Sequence, residues 1–78
     1  MCTLYIGGLP ASADLGTVTR LLAAFRGLVR AQVITEDTGV CRGFAYATFE
    51  TEEAAFAVQS TLDGIEYGNR RLRVAVAV

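Results

Sequence analysis

The sequence contains no histidine, no lysine and no tryptophan, and it has only two cysteines among 78 residues. Zinc sites are built mainly from cysteine and histidine clusters, so we expect no metal and no cofactor. The longest apolar runs are four or five residues, as at 74–78. A membrane-spanning helix needs about 20 apolar residues, so we expect no association with a membrane.

The two cysteines, Cys2 and Cys41, allow one disulfide at most. The strand order derived below places them at opposite ends of neighbouring strands, beyond the Cα separation of about 7 Å that a disulfide tolerates. Free thiols are typical of a reducing compartment. We therefore expect an intracellular protein, cytoplasmic or, in a eukaryote, nuclear.

Charged residues make up 19% of the chain, and the net charge is −1. A nucleic-acid binder is usually basic, so the total argues weakly against that class. All seven positive charges are arginine. Arginine suits planar stacking and bidentate phosphate contacts, although a GC-rich genome explains the bias equally well. The length and the 53% hydrophobic content predict one small domain, residues 1–78.

The hydrophobic pattern predicts four strands and two helices. Alternating or β-branched segments bounded by turn residues predict strands at 3–6, 28–34, 44–49 and 72–76. The first helix follows an N-cap at Ser12 or Asp14 and ends at Gly27, and the second follows a cap at Thr51. The apolar stripes of the helices are Val18, Leu21, Leu22 and Phe25, then Ala55, Val58 and Leu62.

The order β-α-β-β-α-β is that of the ferredoxin-like fold of the α+β class. Right-handed crossovers place the four strands, numbered along the chain, in the spatial order 4-1-3-2 of an antiparallel sheet, with both helices on one face. The opposite face has no helix to cover it. We expect the function to lie there.

Alternation along the two central strands decides which side chains reach the uncovered face. The residues expected on the helix side are Leu4, Ile6, Ala45, Ala47 and Phe49, and on the last strand Leu72, Val74 and Val76. The uncovered face then receives Tyr5, Phe44 and Tyr46. Exposed aromatic clusters of this kind mark binding sites, and each ring can stack a nucleobase. The alternative is that the rings are core residues beneath a further helix or a partner.

Four polar side chains are expected to frame the rings. Arg42, at the start of the third strand, can reach a phosphate. Arg73 on the last strand, and Arg30 and Gln32 on the second, can border the rings on either side. The alternative is that the arginines are solvated surface charges.

Two segments carry a resemblance to a known family. The segment RGFAYATF, residues 42–49, resembles the octamer motif of the RNA-recognition motif family, and LYIGGL, residues 4–9, resembles its hexamer motif. The resemblance extends over nearly the whole chain. It implies that single-stranded RNA stacks on Tyr5, Phe44 and Tyr46 and that Arg42 contacts a phosphate.

Non-catalytic binding of single-stranded RNA is the first hypothesis, with single-stranded DNA as an alternative because the rings stack any base. The second is a protein-interaction domain of the same fold, which would bind a protein partner or a second copy through the sheet or through the helix face around Phe56. A small enzyme is the third, but the sequence offers no acid–base pair on the uncovered face. With a net charge of −1, we expect one copy to bind RNA modestly.

Overall fold

The computed structural model describes residues 1–77 and contains the predicted elements in the predicted order, with one addition. The elements are β1 (Cys2–Gly7), α1 (Leu15–Leu22), β2 (Leu28–Thr35), β3 (Cys41–Phe49), α2 (Glu52–Leu62), β4 (Glu66–Tyr67), β5 (Arg70–Arg71) and β6 (Arg73–Ala77). The addition is the β4–β5 hairpin. Sequence analysis missed it because each of its strands is only two residues long.

The main sheet has the order β2-β3-β1-β6, and all neighbouring strands in it are antiparallel. Because β6 is the fourth predicted strand, this confirms the predicted 4-1-3-2 order and the ferredoxin-like fold. The two crossover helices pack on the same face of the sheet. The central position of β1 and β3 means that side chains on these two strands dominate both faces.

The core lies between the helices and the sheet, and it contains the inward residues that alternation predicts. The most deeply buried side chains are Leu4, Ile6, Ala45, Ala47 and Phe49 from the sheet and Val18, Leu22, Ala55 and Val58 from the helices. Two successive inward positions of β3 are occupied by the small residues Ala45 and Ala47. The larger side chains of neighbouring elements therefore fill this part of the core. Phe49 is the largest of the fully buried side chains.

The N-cap of α1 is Asp14 and not Ser12. The Oδ1 of Asp14 accepts a hydrogen bond from the backbone N–H of Thr17 at 2.8 Å, and the N–H of Asp14 donates to Thr17 Oγ1 at 3.3 Å. The helix ends at Leu22, earlier than predicted, because the chain tightens into turns in which the N–H of Phe25 donates to the carbonyl of Leu22. At α2 the predicted cap Thr51 is confirmed, since its Oγ1 accepts from the N–H of Ala54.

The outer strand β6 differs from its prediction at one end. Leu72 and Val74 are buried as expected, but Val76 is 51% exposed. Val76 lies opposite Leu4 and therefore on the helix side of the sheet. The helices do not cover it there, although they bury Val74 two residues earlier on the same edge strand. Nearer its start, this edge is protected by Asp63, whose Oδ1 accepts from the N–H of Val74 at 3.0 Å.

Both cysteines are free thiols, as expected. Cys2 lies opposite Phe49 at one end of the β1–β3 ladder, and Cys41 lies beyond the other end, where Gly7 is opposite Phe44. Among residues 1–77 the longest helix has 11 residues, and none is long and apolar enough to cross a membrane.

Candidate nucleic-acid interface

Three aromatic rings lie together on the face of the sheet opposite the helices. The ring centroids of Tyr5 and Phe44 are 5.6 Å apart, those of Phe44 and Tyr46 5.9 Å, and those of Tyr5 and Tyr46 6.1 Å. The Tyr5 and Phe44 rings are tilted by 31°, whereas Tyr46 meets both rings nearly edge-on. All three rings are only partly buried. They form one continuous aromatic surface, which we call the aromatic platform.

The pairing of β1 with β3 explains why the rings meet. Tyr5 lies directly opposite Tyr46, and Gly7 lies opposite Phe44. A Cβ atom at Gly7 would lie 2.6 Å from Tyr5 Oη and 2.8 Å from Tyr5 Cε1. The Tyr5 ring therefore lies over the backbone of Gly7, in space that only a glycine leaves free. The predicted first strand, 3–6, ends before Gly7, although the alternation that points Tyr5 outward also points Gly7 outward.

A small polar depression borders the platform on the β2 side. Gln32 lies opposite Tyr46, and Arg30 lies opposite Thr48, so these side chains share the uncovered face. The depression is lined by Thr3, Arg30, Gln32, Tyr46 and Thr48. Thr3 Oγ1 and Thr48 Oγ1 are hydrogen-bonded at 2.9 Å, which fixes its floor. The two threonines were not among the predicted site residues, although period-two alternation from Tyr5 and Tyr46 reaches both.

On the β6 side the platform is bordered by Arg73 and Ala75. Arg73 is exposed and lies opposite Gly7, and Ala75 lies opposite Tyr5. Because Gly7 and Ala75 are both small, the flank of the Tyr5 ring stays open on this side. Arg71, two residues before Arg73, has a different role, because its guanidinium donates to the carbonyl of Gly64 at 3.0 Å and ties the hairpin region to the end of α2.

Arg42 lies at a bulge in β3. The register shifts between the pairs Val33–Ala45 and Thr35–Cys41, so simple alternation does not set the side of the sheet on which Arg42 lies. Gly43 has a φ of 98°, and its carbonyl accepts from the N–H of Leu9 at 2.9 Å. These contacts hold the exposed Arg42 two residues before Phe44, at one end of the platform. The structure thus groups six of the seven predicted site residues on one face and places the seventh at its end.

Although the net charge of the chain is −1, the main sheet carries positive charge. The four strands of the main sheet contain three arginines, Arg30, Arg42 and Arg73, and no aspartate or glutamate. The carboxylates lie in the helices, the turns and the small hairpin. Among the described residues 1–77 there is no group of three or more side chains that could hold a metal ion. The strands that carry the platform therefore contribute aromatic rings and arginines but no acidic side chain.

Known proteins share the sequence pattern and the fold of this chain. The sequence model of the RNA recognition motif family matches residues 4–73. The chain is 40% identical over 72 residues to glycine-rich RNA-binding protein 2, mitochondrial, from Arabidopsis thaliana, covering 91% of this chain and 46% of that protein. It is 32% identical over 77 residues to the 28 kDa ribonucleoprotein, chloroplastic, from Spinacia oleracea, covering 97% of this chain and 33% of that protein.

Among solved structures, the fold is similar to that of RNA binding protein PG1, with a TM-score of 0.90 and 30% identity, covering 100% of this chain and 95% of that one. The chain spans about a third to a half of the length of the two plant relatives. The match of the family model to nearly all of the sequence, together with the strand order and the two motifs on the central strands, shows that the chain belongs to the RNA recognition motif family.

Proposed function

We propose that this chain binds single-stranded RNA, without catalysis, by stacking bases on Tyr5, Phe44 and Tyr46. The observation that carries the proposal is the grouping of the three rings within 6.1 Å of one another on the face that the helices leave open. Residues 1–78 would act as one binding module. The names of the similar proteins, which include RNA-binding proteins and a ribonucleoprotein, support RNA as the ligand.

A base has two flat faces that water solvates poorly, and stacking one base on an aromatic side chain contributes about 1–3 kcal/mol. The Tyr5 and Phe44 rings, 31° apart in tilt, can hold neighbouring bases. Tyr46 adds a surface beside the polar depression, where Gln32 and Arg30 can hydrogen-bond the edge of a base. We assign the phosphates of the bound strand to Arg42 and Arg73, the exposed arginines at the end and on the β6 side of the platform.

The charge distribution limits the electrostatic part of binding. Each phosphate contact with a single strand contributes a slope of about −0.7 in log affinity against log salt concentration. Three arginines in the main sheet therefore give a slope of about −2 at most. Stacking must supply the remainder, and we expect modest affinity from one copy of the chain.

The test is the binding of a fluorescent pool of random eight-nucleotide RNAs, measured by anisotropy at two salt concentrations. Phe44→Ala and Tyr5→Ala are each expected to lower the affinity by about 5- to 150-fold, the equivalent of one lost stack. The matched control is Phe56→Ala, which removes an exposed phenylalanine from α2 on the other face. If the wild type shows no saturable binding, or the control loses as much affinity as Phe44→Ala, the proposal fails.

Single-stranded DNA is the competing ligand, because an aromatic surface stacks bases of either polymer. The same titration with a DNA pool decides between them, and we expect RNA to bind more tightly if the polar groups of the depression contact the 2′-hydroxyl. For the compartment we propose an intracellular location. Its support is the pair of free thiols and the organelle names that the two plant relatives carry.

A further inference from the structure

A second apolar surface lies on the helix side of the sheet, opposite the aromatic platform, in a groove between α2 and the outer strand β6. Phe56 on α2 is 67% exposed, and Val76 on β6 is 51% exposed. Cys2, Ala55 and Gln59 also line the groove. We call this surface the α2–β6 groove.

The fold does not need an aromatic residue at position 56. The buried stripe of α2 is complete without it, because Ala55, Val58 and Leu62 supply the contacts with the sheet. Phe56 leaves most of its ring in water beside a valine that is itself half exposed. Contiguous apolar surface of this kind is typical of a binding site. The groove therefore has a bulky ring and an apolar floor that the core does not use.

The rim of the groove determines which partner fits. Glu52 and Glu53 line it, four and three residues before Phe56, so they lie one helical turn away on the same side of α2. Acids in the first turn of a helix are favoured by the helix dipole, so these two alone indicate no ligand. Beside an exposed ring and an apolar floor, however, they supply only hydrogen-bond acceptors and negative charge. Such a rim repels phosphate and attracts a guanidinium group.

We propose that the α2–β6 groove binds a peptide segment of a protein partner in which an arginine stands beside a bulky apolar residue. The apolar side chain packs on Val76 and Cys2. The guanidinium lies against the Phe56 ring and pairs with Glu52 or Glu53, which combines a cation–π contact with charge-assisted hydrogen bonds. The proposal depends on the groove alone and is independent of the proposed RNA binding.

The test begins with a library of random dodecapeptides displayed on phage and selected on the purified chain, with the Phe56→Ala protein as the counter-target. Enriched peptides are then synthesised and titrated while the backbone amides are followed by NMR. We expect arginine next to a leucine, isoleucine, methionine or aromatic residue in the enriched sequences. The amide shifts should be largest in α2 and β6.

Three variants test whether the selected peptide binds in the α2–β6 groove. Phe56→Ala is expected to weaken the selected peptide at least about tenfold, and Glu52→Gln and Glu53→Gln are each expected to weaken it several-fold at low salt. The matched control is Glu36→Gln, which neutralises an exposed acid in the β2–β3 turn and should leave peptide affinity unchanged. A urea unfolding curve for each variant separates lost binding from lost structure.

The proposal is overturned if no enriched peptide prefers the wild type to Phe56→Ala, or if the enriched sequences lack arginine. It is also overturned if Glu36→Gln weakens binding as much as the groove variants, or if the peptide shifts are centred on Tyr5, Phe44 and Tyr46. A titration with the random RNA pool that moves the amides of α2 would assign the groove to RNA instead. Because Phe56→Ala is measured separately with RNA, the failure of either proposal leaves the other intact.

Discussion

The central part of β3 carries small residues on its buried face and aromatic residues on its open face, the reverse of the distribution that core burial favours. The face toward the helices carries the two small residues Ala45 and Ala47, which are fully buried. The face toward solvent carries Phe44 and Tyr46, which are partly exposed. Complete burial of an aromatic side chain stabilises a protein by about 1.5–3 kcal/mol, so stability alone would place the rings on the helix side.

The two faces of this one strand therefore have different roles, one in stability and the other in binding. The helix-side residues, together with Phe49 at the end of the strand, hold the fold. The solvent-side residues contribute less to stability than their size allows and are left free for a ligand. Substitutions on the helix side of β3 should therefore lower stability, whereas substitutions on the solvent side should lower RNA affinity.

The largest effect is expected for Phe49→Ala. Phe49 is 0% exposed, and truncating a buried phenylalanine lowers the free energy of unfolding by about 3–5 kcal/mol. Total stability of small domains is only about 5–15 kcal/mol, so much of it would be lost. The measurement is urea unfolding followed by circular dichroism. Phe44→Ala on the same strand is the matched control and should lose less than half as much. Equal losses would show that the open face also holds the fold.

The next effect concerns Gly7→Ala, which tests whether the platform needs its observed geometry. The added Cβ would overlap the Tyr5 ring, which must then move away from its place beside Phe44. We expect RNA affinity to fall by up to the stacking of one base, about 1–3 kcal/mol. Gly16→Ala in α1 is the control and should leave RNA affinity unchanged. An unchanged affinity for Gly7→Ala would mean that the position of the Tyr5 ring does not matter.

The sequence predicts the fold well because the hydrophobic pattern is clear within the helices and strands. Alternation on β1 and β3 identifies both the core and the outward rings, and turn residues separate the elements. The predicted burial of Val76 was wrong, because alternation gives the side of the sheet but not whether a helix reaches that far along the edge strand. For the same reason, the sequence indicated the helix face around Phe56 but not that Val76 completes a groove beside it.

The sequence predicts less about details that depend on contacts between distant segments. That Gly7 makes room for a ring became clear only from the position of the Tyr5 side chain across it. Arg71 and Arg73 look equivalent in the sequence, yet Arg71 donates to the carbonyl of Gly64 and Arg73 lies on the open face. The bulge at Gly43 likewise removes the alternation from which the side of Arg42 would have been predicted.

A smaller effect on the helix side is expected for Asp63→Ala. Asp63 Oδ1 accepts from the N–H of Val74 and so joins the end of α2 to the edge strand. Its removal should lower the free energy of unfolding by about 1 kcal/mol, the net value of one hydrogen bond. Asp63→Asn keeps an oxygen acceptor and should recover most of the loss. RNA affinity should be unchanged in both, since Asp63 lies outside the open face. A drop in RNA affinity for either variant would contradict the separation of the two faces.

The smallest effect is a pH dependence that also belongs to the helix side. The backbone N–H of Thr17, and then its hydroxyl, donate to the Asp14 carboxylate and hold the pKa of that carboxyl below its ordinary value of 3.8. A carboxyl whose pKa is lower in the folded state contributes stability at pH above its unfolded value, and this contribution is lost as the pH falls through the folded value. The free energy of unfolding should therefore decrease as the solution is acidified below about pH 4.

Asp14→Asn isolates this contribution, because the amide oxygen still caps α1 but does not titrate. In urea unfolding at a series of pH values between about 3 and 6, the wild type should lose stability toward low pH more steeply than the variant. The difference should be small, because the carboxylate is fully exposed and screened by water. The four strands of the main sheet contain no carboxylate. Acid therefore weakens the N-cap of α1 without protonating any side-chain carboxylate of those strands. Equal slopes for the two proteins would remove Asp14 as a source of acid sensitivity.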